Sequence, residues 1–124
     1  MKLKRLYDAY DAANYAFYDG ILPKITIKLY TDNTKIYDGK TMHELLGYDT
    51  YGLLMVYKNT TPKTLYLNRS LSGLLLVGTL YHEMIHAWQA VTGLNCLKHD
   101  KTFIKQAKRI AKILDIPVKY IHVW

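Results

Sequence analysis

Apolar residues recur in steps of three and four at Leu3, Leu6, Tyr10, Ala13 and Phe17, with Asp8, Asp11 and Asn14 beside them. That period predicts an amphipathic helix from Leu3 to Tyr18, which Gly20 can stop and Pro23 keeps from restarting. Ile25, Ile27 and Leu29 then alternate with Lys24, Thr26 and Lys28, the pattern of a strand with one buried face over about Lys24 to Thr31. Asp32 to Thr50 contains Gly39, Gly47, several Asp and no long apolar period, so it reads as a surface excursion with at most a short helix near Met42 to Leu46. Apolar runs at Gly52 to Tyr57 and Thr64 to Asn68 flank the polar connector Lys58 to Lys63 and predict an antiparallel hairpin. Ser72 to Thr92 is apolar on nearly all sides before Gly93 ends it, which predicts a helix in the middle of the protein. From Asp100 to Leu114, Phe103, Ala107, Ile110 and Leu114 share one face of a last helix, with Lys101, Lys105, Lys108 and Lys112 opposite. Pro117 follows, and the apolar, aromatic tail Val118 to Trp124 is suited to dock as an edge strand or cap.

These elements predict an α+β fold, three main helices on a short, mainly antiparallel three-stranded sheet, in a single domain over residues 1–124. Half of the residues are apolar, which excludes a disordered tail. The one cysteine, Cys96, excludes an internal disulfide and any Cys-based zinc knuckle, so a metal here must rest on His and carboxylates. The basic start Met1 to Asp8 lacks the apolar stretch of a signal peptide, and the run Leu71 to Tyr81 is too short to cross a bilayer. The expectation is a cytoplasmic protein with no membrane partner. A net charge of +7 adds a mild preference for phosphate or acidic partners.

The chemistry concentrates in His82-Glu83-Met84-Ile85-His86. Two histidines four apart on a helix project from one face about one turn apart, so two imidazoles can reach one metal ion from a rigid support. Glu83, next to the first ligand, stands where it can take a proton from water beside the metal. On a buried helix such polar groups are costly without a partner, and a metal supplies one. A catalytic zinc generally has three protein ligands and one position left for water. Of His43, His99 and His122, only His99 falls in a turn between the metal helix and another helix, and we take it as the third ligand. Asp100 or Asp115 is the expected acceptor for the second nitrogen of one of these imidazoles. His43 and His122 are expected to be structural or solvated.

These residues resemble the SprT-like metallopeptidases, the family of the Spartan protease domain that acts on DNA–protein crosslinks. Leu80 to Ala87 is similar to the family's metal helix, His99-Asp100-Lys101-Thr102-Phe103 to its downstream His-Gly-x-x-Phe motif, and Tyr15 to Pro23 to its Phe-x-Gly-x-Leu-Pro segment before the first strand. The resemblance implies one Zn2+ ion on His82, His86 and His99, Glu83 as catalytic base, and a small minigluzincin-like domain. Asp100 departs from the family's Gly, no Cys-rich zinc ribbon is present, and Asp32 to Thr50 resembles an insertion.

The expected activity is zinc-dependent hydrolysis of peptide bonds in a protein substrate. Lys98, Lys101, Lys105, Lys108 and Lys112 recur at steps of three and four and form one basic helix face that can track the phosphates of DNA. Two rival readings are a non-enzymatic DNA-binding or scaffold module held together by zinc, and a regulator-cleaving peptidase that needs no DNA.

Overall fold

The computed structural model describes residues 2–46, 51–57, 61–94 and 98–121. Helix α1 (Lys2–Tyr18) buries Leu6, Tyr10 and Ala13 as expected, and Tyr18 in place of Phe17, which like Leu3 is only partly buried against the core. It ends where the Gly20 N–H, in the left-handed conformation glycine favours, donates to Asn14 O at 3.0 Å. Asn14 then clamps both backbone groups of Leu22, at 2.9 and 3.0 Å, and Tyr10 Oη donates to Pro23 O at 2.6 Å. The Asp19 to Pro23 corner thus aims the chain into β1 (Thr26–Tyr30), on which Ile27 and Tyr30 are buried.

Within Asp32 to Thr50 the structure adds a two-stranded ribbon that the hydrophobic pattern does not announce, β2 (Lys35–Tyr37) and β3 (Lys40–Thr41). Its two-residue turn is Asp38-Gly39, both with positive φ, the dipeptide that a tight hairpin demands. The expected short helix is present as α2 (Met42–Leu46). Thr41 and Glu44 start it with a reciprocal capping box, Thr41 N–H to Glu44 Oε1 at 3.0 Å and Glu44 N–H to Thr41 Oγ1 at 3.4 Å.

The strands β4 (Gly52–Tyr57) and β5 (Thr61–Asn68) form the predicted antiparallel hairpin. Its register slips by one between Met55 and Val56, opposite Pro62, which has no N–H to give to a ladder. The sheet order is β1-β5-β4, with β1 parallel to β5 and β4 antiparallel to it. The sheet is therefore mixed, not mainly antiparallel. The hairpin partner takes one side of β5, so the chain leaving β1 must reach the far edge before it returns, and β5 comes back parallel to β1.

Helix α3 (Gly73–Val91) lies at the centre, packed on β4, β5, α1, α4 (Lys101–Leu114) and the 3-10 turn Val118–Tyr120. Leu80, Met84, Ile85 and Ala87 are all buried on it. At roughly 1.5–3 kcal/mol for each large apolar side chain, this burial outweighs the weak helix propensity of the segment. On α4 the buried face is Phe103, Ala107, Ile110 and Ala111. Leu114, expected on that face, is at its margin and 37% exposed. The described part of the tail, Val118 to Ile121, docks as a cap in a 3-10 turn, with Ile121 fully buried against the core; the rest of it lies outside the described residues. Cys96 and His122 lie outside the described residues. No described helix is long and apolar enough to cross a membrane.

Candidate metal centre

The face of α3 that carries His82 and His86 meets the chain just before α4, where His99 stands. Asp100 caps α4, accepting from Thr102 N and Phe103 N, each at 3.1 Å, and from Thr102 Oγ1 at 2.6 Å. These bonds hold its carboxyl below the usual range and fix the direction in which His99 leaves the helix start. One ligand atom from each of His82, His86 and His99 lies within 4.8 Å of the others. His86 Nε2 and His99 Nε2 are 3.0 Å apart. Two nitrogens held tetrahedrally by one zinc at about 2.0–2.1 Å would stand about 3.3 Å apart, so the His86–His99 pair needs little adjustment to accept an ion, while the triad as a whole must draw in from its 4.8 Å limit.

The outer nitrogens establish which lone pairs face inward. His82 Nδ1 is 2.6 Å from Ile121 O, a carbonyl that can only accept, so Nδ1 carries the proton and the lone pair that could meet a metal is on Nε2. Gln89, fully buried, donates through Nε2 to Lys98 O at 3.2 Å, which turns its Oε1 toward His86 Nδ1 at 2.9 Å. That Nδ1 is likewise the donor. Gln89 therefore ties His86 to the chain segment that carries His99. The expected acceptors do not serve this purpose: Asp100 caps α4, and Asp115 is the left-handed residue at its C-terminus.

Phe103 floors the triad, its ring centroid 4.8 Å from His82, 4.8 Å from His86 and 4.5 Å from His99. Glu83 is on the neighbouring side of α3, facing the edge strand, where Leu54 N–H donates to it. Burial pushes its carboxyl up to about 8, and the Leu54 donor only partly opposes that. The hydroxyl of Tyr30 on β1 is raised to about 12, first by burial, against a hydrogen bond with the Asn68 side chain, with the Glu83 charge adding to the rise. His43 is engaged elsewhere, with Nε2 at 2.7 Å from Asp32 Oδ1. Lys98, Lys101, Lys105, Lys108 and Lys112 are all exposed.

Three features of this site lie outside the motif and its spacing. Gln89, three residues after His86 on the same helix, carries a legible signal, since a polar residue on a buried helix needs a reason. The Leu54 N–H and the Ile121 carbonyl carry none, because every residue has a backbone.

Fold and site together define an α+β protein in which three histidines, two of them on a His-Glu-x-x-His helix, are placed to hold a metal ion. The SprT-like family model matches residues 6–122, nearly the whole chain, and the protein belongs to the SprT-like family, which is generally metallopeptidase-like. No curated protein and no solved structure matches it.

Proposed function

We propose that the protein is a zinc metallopeptidase of minigluzincin-like fold, with His82, His86 and His99 as ligands and Glu83 as the catalytic base. The observation that carries this reading is the adjacency of two kinds of group on one turn of α3. Imidazoles with their Nε2 lone pairs turned inward sit beside a carboxyl that burial has moved into the range where it both takes and gives a proton. An all-imidazole set suits zinc among several transition metals. Zinc bound there would supply Lewis acidity and make water a nucleophile near neutral pH. Glu83 takes a proton from the attacking water as its oxygen adds to the peptide carbonyl carbon, and hands that proton to the amine as the C–N bond breaks. Strand β4 lies at the edge of the sheet, and an extended peptide can add to such an edge beside Glu83.

The proposal extends to DNA-associated protein substrates. Its support is the family membership and the five exposed lysines from Lys98 to Lys112, none of which is ion-paired among the described residues. A purely structural zinc would have a fourth protein ligand, and the cluster among the described residues has three members. The test is Glu83→Gln, assayed for bound metal and for cleavage of free and DNA-bound proteins with and without DNA. The variant is expected to keep its zinc and lose cleavage by at least about 100-fold. Unchanged cleavage would refute the assignment.

A further inference from the structure

Gly78 stands four residues before His82, on the same face of α3 and one turn away. Glycine in a helix interior is unfavourable relative to alanine, so this position has a reason of its own. A Cβ at Gly78 would overlap the carbonyl oxygen of Tyr120, stand 2.5 Å from its carbonyl carbon and 3.0 Å from its Cβ. The two backbones are in direct contact. The next residue of the tail, Ile121, gives its carbonyl to His82 Nδ1 at 2.6 Å. Two successive tail residues thus pass two successive turns of the metal helix.

The route of the tail is fixed from α4. Asp115 turns left-handed, Ile116 N–H returns to Ala111 O at 3.0 Å, and the turn closes with Tyr120 N–H to Pro117 O at 3.1 Å and Ile121 N–H to Val118 O at 2.9 Å. The Ile121 side chain, fully buried, anchors its end.

We propose that the turn Pro117 to Ile121 is a positioning element of the metal centre, and that Gly78 is the positioning residue that admits it. The Ile121 carbonyl holds the His82 ring in one orientation and one tautomer, with Nε2 as the ligating nitrogen. Metal affinity is therefore set in part by a segment 39 residues downstream of the ligand it orients. This inference rests on the metal-site reading above, and its test has a readout that needs no metal.

In the metal-free wild-type protein, nitrogen-15 NMR is expected to show His82 as the Nδ1–H tautomer, and an Nε2–H tautomer would overturn the proposal whether or not metal binds. Gly78→Ala is expected to weaken zinc binding by about 10–100-fold in chelator competition and to change the visible spectrum of the Co2+-loaded protein. Leu6→Ala, in the core on α1, serves as a control that lowers thermal stability without touching the tail. It is expected to leave zinc affinity within about 3-fold of wild type. Wild-type zinc affinity and Co2+ spectrum in a folded Gly78→Ala, or an equal affinity loss in Leu6→Ala, would overturn the proposal.

Discussion

Raising the pH of the metal-free protein from about 5 to about 8.5 probes the burial of Glu83 directly. Enclosed between α3 and β4, this carboxyl has a folded pKa of about 8, against roughly 4.3 for an unfolded Glu. Below the lower value both states hold the proton, and the ionisation of Glu83 costs nothing. Between the two, the folded state keeps a proton that the unfolded chain has released, so stability falls as pH rises. Above about 8 both are ionised, and the full cost of a buried carboxylate stands. At about 1.4 kcal/mol for each pKa unit, the ceiling on this loss is about 5 kcal/mol, a large share of the roughly 5–15 kcal/mol that holds a typical domain folded. Half of that ceiling would move a urea midpoint by about 1 M.

The assay is equilibrium urea unfolding of chelator-treated wild type and Glu83→Gln across this pH range. Gln keeps an acceptor for Leu54 N–H and carries no charge. Imidazoles titrate in the same range, but both proteins retain all five histidines, so the difference between the two curves reports on Glu83. The variant should gain on the wild type steadily as pH rises. Zinc should close the gap, because a dication beside the carboxyl favours its charged form. Parallel curves for the two proteins would refute the reasoning.

Gln89→Leu should keep the fold while zinc affinity falls by about 10–100-fold, because His86 loses its acceptor and Lys98 O its donor; isothermal titration with Zn2+ checks this. Lys105→Ala with Lys108→Ala should weaken binding to duplex DNA and lower the slope of log affinity against log salt by up to about 2, and an unchanged slope would remove this face from DNA contact.

How much of this was legible beforehand depended on how local each feature is. Helix α3 follows from its apolar period and the stop at Gly93, and the pairing of His82 with His86 on one of its faces from spacing within five residues, so the sequence by itself determined this helix and its two histidines. His99 was reachable by elimination, since a turn between two predicted helices brings their ends together. The Asp38-Gly39 turn and the Thr41-to-Glu44 capping box were also local signals, but they were obscured by the absence of an apolar period.

Only tertiary structure decided the rest. Whether β1 joins the sheet parallel or antiparallel depends on which side of β5 the hairpin occupies, a choice no window of sequence contains. The pKa of Glu83 depends on an edge strand about 30 residues away, and the tautomer of His82 on a carbonyl 39 residues away. Both partners are main-chain groups, identical in every residue, so their chemistry leaves no mark on the side chains. The sequence named the three histidines, and the packing of β4 and the C-terminal turn against α3 decided which nitrogen of His82 is presented and how readily Glu83 holds its proton.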